Sequence, residues 1–322
     1  MTKKLIAILG PTASGKSELA IKLAKKFKGE IVSADSRQVY KGMNIGTAKP
    51  TKKEMKGIPH YLLDVASPKR RFTVVQYRKL SLKAINKIFK KGKVPILCGG
   101  TGFYIQAVVD GIIIPEVKPD WRLRSNLNKL SAAELYQRLK KLDPKRAGTI
   151  EKKNKRRLIR AIEIVMKTKK PVPALKKNPL PYPVLMIGIK KENLETEIEK
   201  RFFEWLKQGF LREVQKLRKI GLTWKRIEEF GIHYRTAALY LQGKISDAEF
   251  IKKSLIELRN YAKRQMTWFT HQNFAEQNLG GFKRPARQQP EPQAMAGGDK
   301  RIHWVKTERE AEKLITEFLK TN

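Results

Sequence analysis

The sequence predicts an α/β protein: a P-loop NTPase-like parallel sheet with helices on both faces and a helical insertion domain. Three observations carry that prediction. A glycine-rich loop, Gly10-Pro11-Thr12-Ala13-Ser14-Gly15-Lys16-Ser17, stands between a strand-like run and an amphipathic helical pattern. Short β-rich runs then alternate with helical patterns up to about residue 110. Beyond them, a stretch crowded with Lys and Arg precedes two late strand candidates, which return to the same sheet.

Taken in order, residues 4–9, 30–34 and 94–98 read as strands ending in small or turn residues, and 16–27 and 74–91 read as helices. The late strands are 184–189 and 302–305. Residues 1–114 are therefore the first part of a P-loop core and 115–183 a basic helical insertion, closing in a proline-rich run over 171–183 that cannot be helical throughout. Residues 184–274 are the second part of the core, with two long helices. The first carries Ile198, Phe202, Leu206, Val214 and Leu217 at mostly helical spacing. The second opens on the capping-box pattern Ser246-Asp247-Ala248-Glu249 and carries Ile251, Leu255, Leu258, Ala262 and Phe269 on one side. Residues 275–300, rich in Gln, Gly and Pro, read as a flexible segment, and 301–322 as the C-terminal strand and helix of the core.

Composition narrows the class. At 322 residues and 41% apolar content the chain can bury a sizeable core. No apolar run approaches the roughly 20 residues of a membrane span. The start, Met1-Thr2-Lys3-Lys4, leads into a stretch too short for a signal-peptide core. The single cysteine, Cys98, excludes an intrachain disulfide framework and speaks against structural zinc. A cytoplasmic protein is expected, without a membrane partner and monomeric. Its formal charge of +40 fits either a lysine-rich surface or a polyanionic partner, and clustering has to decide between them.

The chemistry starts at the loop. Backbone N–H groups of such a turn wrap a phosphate, Lys16 neutralises the distal phosphate, and the Ser17 hydroxyl is placed to coordinate Mg²⁺. The strand that would end in the Mg²⁺-binding Asp of a hydrolytic NTPase ends here in Gly99-Gly100-Thr101-Gly102. A carboxylate follows the second strand instead, as Asp35, at a strand end beside the loop. It suits a Mg²⁺ ligand, a base acting on an acceptor group, or a plain helix N-cap. Thr101 is placed to hydrogen-bond a substrate or to position Asp35.

These residues resemble the tRNA dimethylallyltransferases, also called tRNA isopentenyltransferases. The likeness runs through residues 10–17, then Asp35-Ser36-Arg37-Gln38 and on to Pro50. It continues in Pro59-His60-Tyr61-Leu62-Leu63-Asp64, the turn at 99–104, residues 157–163 and residues 262–269. The resemblance implies transfer of a dimethylallyl group from dimethylallyl diphosphate to N6 of adenosine 37 in tRNAs with adenosines at 36 and 38, releasing diphosphate with the help of Mg²⁺. Lys16, Asp35 and Thr101 would be the catalytic residues, Asp35 taking the N6 proton. Contacts to tRNA are implied for Asp35, Ser36, Arg37, Gln38 and Thr101, for Arg122 and Arg124, for Arg156, Arg157 and Arg160, and for Tyr234 and Arg235.

The basic segments fit that partner. Six cations fall within residues 151–160, and a helix there sets Arg156 and Arg160 on one face. Arg264 and Trp268 are candidates for phosphate and stacking contacts, with a place in the core an equal alternative for Trp268. One departure stands out: in Gly231-Ile232-His233-Tyr234-Arg235, His233 occupies the place where the family has a second glycine. The cysteine-based zinc finger of eukaryotic members is not expected here. A P-loop kinase for a nucleotide or small metabolite would explain the loop and Asp35 but leave the arginine-rich insertion without a task. An adenylate dimethylallyltransferase acting on free nucleotide would leave the insertion unexplained too.

Overall fold

The computed structural model describes residues 2–113, 115, 117–174, 176–270 and 301–321, so the expected flexible segment 275–300 lies outside the described residues. Among these, 2–109, 180–270 and 301–321 form one compact unit and 110–179 a second. The first begins with β1 (Leu5–Leu9), α1 (Lys16–Lys26), β2 (Gly29–Ser33), β3 (His60–Tyr61), α2 (Val74–Lys90), β4 (Val94–Gly99) and α3 (Gly102–Val109). The second unit holds β5 (Ile112–Ile113), α4 (Trp121–Lys129), α5 (Ala132–Leu142), α6 (Pro144–Thr149), α7 (Lys155–Thr168) and β6 (Lys176–Lys177). The chain then returns to the first through β7 (Val184–Ile189), α8 (Leu194–Gln208), α9 (Phe210–Lys219), α10 (Trp224–Glu228), α11 (Ile232–Leu241), α12 (Asp247–Thr270), β8 (Ile302–Val305) and α13 (Glu308–Lys320).

The main sheet runs β3-β2-β4-β1-β7-β8, and every ladder in it is parallel. Central β1 sets Ile6 against Ile96 on one side and Leu185 on the other. Its run Leu-Ile-Ala-Ile-Leu is buried throughout, as a parallel strand covered on both faces requires. On one face Ile6, Ile8, Ile96 and Ile187 pack with Leu23 of α1 and Ile315 of α13. Toward the other lies α2, whose Tyr77 hydroxyl donates to the Ser33 carbonyl at 3.0 Å and whose Tyr77 ring stacks on Tyr104 of α3 at 3.8 Å. The strand order brings the loops after β1, β2 and β4 to one edge of the sheet, where doubly wound folds bind ligands.

The second unit has its own core of Leu127, Leu135, Leu139, Leu158 and Ile162. Its helices start on side-chain caps: Asp120 for α4, Ser131 with Glu134 for α5, and Asn154 for α7.

Two expectations need correction, and three short strands were not foreseen. The first long helix is two, because Gly209 adopts φ 96° and closes α8 before α9 begins. Only glycine enters that region without strain, and the apolar spacing carried across it concealed the break. The buried stripe of α12 is Phe250, Ser254, Leu258, Ala262, Gln265 and Phe269, with Ile251 and Leu255 only half-buried beside it. The strands β3, β5 and β6 escaped notice, since two residues hold no readable period, and β6 lies in the proline-rich run. No helix among the described residues is long and apolar enough to cross a membrane.

Candidate active site

A cavity opens at the ligand edge of the sheet. Its wall includes Thr12, Lys16 and Ser17 of the P-loop, Asp35, Arg37 and Gln38 after β2, and Arg201 from α8. Half-buried Lys16 donates from Nζ to the Pro11 carbonyl at 3.0 Å. Burial lowers its pKa; Cys98 and Asp35 oppose that, and the nearby Arg201 guanidinium adds to it. Beneath the loop the Ser14 hydroxyl is buried with no partner among the described residues. Cys98 lies under the same turn, where burial pushes its thiol up to about 12 and leaves it unreactive. No group of three or more His, Cys, Asp or Glu side chains among the described residues could hold a metal alone.

Gln265 of α12 ties the two glycine-rich turns together. Its Oε1 accepts from the Thr12 N–H at 2.8 Å, and its Nε2 donates to the Gly100 carbonyl at 2.9 Å. Asp35 is half-buried, and one carboxylate oxygen, Oδ1, accepts from the Arg37 N–H at 2.7 Å and the Gln38 N–H at 3.2 Å. No helix follows Asp35, so it is not a helix N-cap; a single oxygen caps the turn over residues 36–39 instead. Thr101 sits behind that turn: its Oγ1 accepts from the Ser36 N–H at 3.0 Å, and its side chain is not part of the cavity wall. Arg37 donates from Nε to the Phe230 carbonyl at 2.8 Å. Gln38 accepts from the Ser33 hydroxyl and donates to the Thr47 and Ala48 carbonyls, stapling the turn to the next loop.

That next loop, residues 43–48, is held by an acid. Glu213 of α9, 6% exposed, accepts from the N–H groups of Asn44, Ile45 and Gly46 at 2.7, 2.7 and 3.2 Å and from the Tyr234 hydroxyl at 2.7 Å. The approach is close: a Cβ on Gly46 would fall 2.5 Å from the Phe210 ring. Tyr234, expected to contact tRNA, lines the cavity from a buried position. It is 2% exposed in an aromatic cluster with Phe210 and Phe230, and its hydroxyl is committed to Glu213. Arg235 is exposed and ion-paired with Glu257.

In the second unit the expected arginines divide into two groups. Arg122, Arg156 and Arg157 are exposed. Arg124 and Arg160 instead hold Glu163, which is fully buried. Arg124 donates to both Glu163 oxygens at 2.8 and 2.6 Å, Arg160 to one at 2.5 Å, and the Asp120 N–H to the other at 2.7 Å. Burial alone would raise the Glu163 pKa, but these hydrogen bonds outweigh it and hold the carboxyl below its usual range. The face expected to carry both Arg156 and Arg160 therefore offers Arg156 alone as an uncommitted cation.

The profile of the family described as IPP transferase matches residues 38–272, well over half of the chain. The chain belongs to the IPP transferase family. It is a transferase. Among its relatives, the tRNA dimethylallyltransferase of Acetivibrio thermocellus is 42% identical over 275 residues, covering 82% of this chain and 88% of its own. That of a Thermoanaerobacter species is 40% identical over 287 residues, covering 85% and 91%. Among solved structures, the full-length tRNA isopentenylpyrophosphate transferase of Bacillus halodurans aligns at 33% identity with a TM-score of 0.66, over 99% of this chain and 96% of that one. A eukaryotic dimethylallyltransferase solved acting on tRNA aligns at 27% identity with a TM-score of 0.71, over 86% and 73%. These likenesses favour the prenyl-transfer reading over the kinase.

For this IPP transferase, sequence reasoning missed Arg201, Glu213 and Gln265. All three share a signature. Each stands three residues after one buried apolar side chain and four before the next: Ile198 and Trp205, Phe210 and Leu217, Ala262 and Phe269. A polar residue inside a buried helical stripe was the available signal.

Proposed function

We propose that this IPP transferase moves a dimethylallyl group from dimethylallyl diphosphate to N6 of adenosine 37 in tRNAs with adenosines at 36 and 38, releasing diphosphate. The observation that carries the reading is one cavity wall holding Lys16, Ser17, Arg201 and Asp35 together. Such a wall sets a diphosphate cradle beside a single carboxylate.

In this reading the P-loop N–H groups, Lys16 and Arg201 bind the diphosphate and stabilise the charge that builds on it as the allylic C–O bond breaks. Electrostatic groups aimed at developing charge contribute about 10² to 10³ in rate each. The free Ser14 hydroxyl beneath the loop is a further donor to a phosphate oxygen. Ser17, on the cavity wall, would offer one hydroxyl to Mg²⁺, an ion that takes most of its ligands from phosphates and water. When bound, Mg²⁺ supplies positive charge to the leaving diphosphate. Asp35, whose Oδ1 is fixed by two N–H groups, takes the N6 proton on its other oxygen as the N6–C bond forms. Thr101 positions that turn through Ser36. The adenine amine is a weak nucleophile, so orientation supplies much of the rate. By analogy with other enzymes that act on bases, the adenine is turned out of its stack into the cavity.

Exposed Arg122, Arg156 and Arg157 of the second unit are assigned to tRNA phosphates. Arg124 and Arg160 are assigned to holding Glu163. The setting assigned to the enzyme is the cytoplasm, where its tRNA substrate is found.

The test is incubation with dimethylallyl diphosphate, Mg²⁺ and unmodified tRNA, followed by nucleoside mass analysis. The expected product is an adenosine heavier by one dimethylallyl group. Turnover of ATP with a small acceptor, without such a product, would overturn the reading.

A further inference from the structure

His233, the residue in the family's glycine place, has no task in the reaction above. It stands in the first turn of α11, 5% exposed, and forms part of the cavity wall. Its Nε2 lies 2.6 Å from the Gly46 carbonyl oxygen. A carbonyl only accepts, so Nε2 carries the proton, and Nδ1 of the neutral ring presents a bare lone pair. Burial, opposed by the Gly46 bond and reinforced by Arg37, brings the ring's pKa down to about 4, so the ring is neutral at neutral pH. Nδ1 is buried and has no hydrogen-bond partner among the described residues. The rings around it, Trp205 at 4.8 Å and Phe210 at 5.0 Å, hold the imidazole in place. The Tyr234 hydroxyl, a nearby donor, is already given to Glu213.

A buried acceptor without a donor calls for one from elsewhere. The transferred group is covalently joined to the diphosphate, so it enters the cavity that Lys16, Arg201 and His233 all line. Apolar side chains of the same wall, Trp205, Ile232 and Leu258, suit its hydrocarbon. A plain dimethylallyl group offers Nδ1 nothing. We propose that this enzyme also accepts, as donor substrate, an allylic diphosphate in which one terminal methyl is replaced by hydroxymethyl, its hydroxyl donating to His233 Nδ1. This rests on the prenyl-transfer reading and names its substrate class. The chemistry is unchanged: the allylic C–O bond breaks, the N6–C bond forms, the N6 proton passes to Asp35, diphosphate leaves, and the hydroxyl is carried intact into the product.

The experiment is a competition. The full chain is given equal concentrations of dimethylallyl diphosphate and its hydroxymethyl analogue with Mg²⁺ and unmodified tRNA, and the two product nucleosides are quantified by mass. Their ratio is the ratio of kcat/KM values and does not depend on how much enzyme is folded. The wild-type ratio is expected near unity or above, falling about tenfold in His233→Phe and His233→Gly. A ratio equal within about twofold in wild type and variants, or a wild-type ratio below about one hundredth, overturns the proposal; in the first case Nδ1 is satisfied by water alone. If the variants make too little product to quantify, nitrogen NMR of the ¹⁵N-histidine wild-type protein decides. The His233 Nδ1 resonance should move on adding a non-transferable hydroxymethyl analogue and stay in place with the dimethylallyl one; no movement overturns the proposal. Absence of both products would overturn the transfer reading itself, an outcome distinct from dimethylallyl transfer with an unchanged ratio or without the hydroxymethyl product.

Discussion

Two buried carboxylates organise the two units, and their partners differ in kind. Glu213 is surrounded by neutral donors, three loop N–H groups and a phenol, whereas Glu163 is held by two guanidinium groups and one N–H. In the first case the acid's charge fixes a backbone: residues 44–46 have one carboxylate as their common acceptor. In the second it consumes cations. Two arginines of a stretch that looks made for RNA are committed inside the protein. The residue type is the same, yet one acid shapes a cavity wall and the other removes cations from a surface. Counting arginines thus overstates the charge available to a polyanion.

The comparison can be broken at several points. Glu213→Ala should have the largest effect, about 3 kcal/mol or more, because several buried donors lose their acceptor together. Urea unfolding would measure it, and prenyl transfer should fall with the loop. A loss under about 1 kcal/mol would mean that the loop holds itself.

Acid should come next, through His233. Its folded-state pKa, about 4, lies below the ordinary 6.5, so the unfolded chain binds the proton more readily. Stability is therefore complete above pH 6.5 and falls as pH drops toward 4, by about 2 kcal/mol between pH 7 and pH 5. His60, depressed by burial, adds in the same direction. Unfolding at the two pH values should show the loss, and His233→Phe should remove most of it.

Glu163→Ala should cost about 1 to 2 kcal/mol, less than a buried pair usually does, since its arginines reach solvent and can be hydrated. It should leave tRNA affinity equal to or tighter than wild type, because Arg124 and Arg160 are released. The paired change Arg156→Ala with Arg157→Ala should alter stability by under about 0.5 kcal/mol. Its effect belongs in binding: the slope of log affinity against log salt should fall by about one to two. If Arg124→Ala flattened the salt slope as much, the division between committed and available arginines would be wrong.

Much of the core was legible because parallel buried strands write themselves as short apolar runs. The run over 184–189 matches β7, and that over 302–305 matches β8. The break at Gly209 was not legible, since Leu206 and Phe210 keep helical spacing across it. For the site, loops announced themselves through residue identity: the P-loop, Asp35 and the turn at 99–102. The residues that hold those loops did not. Glu213 and Gln265 sit on helices far along the chain, and a one-dimensional reading takes a lone polar residue for part of a solvated face. Tyr234 was legible only in part: an aromatic beside an arginine suggests a surface contact, whereas it lines the cavity from a buried position with its hydroxyl on Glu213. The stripe signature, a polar residue at a position helical spacing marks as buried, would have recovered both.

The central claim is that Asp35 divides its labour, with one oxygen capping its own turn and the other taking the N6 proton. Asp35→Asn keeps an oxygen for the Arg37 and Gln38 N–H groups and removes the base. The decisive measurement is the single-turnover rate of prenyl transfer at saturating donor, with tRNA affinity determined alongside. The account predicts a rate lower by about 10² to 10⁴ with affinity within about twofold. A rate within about threefold of wild type would contradict it.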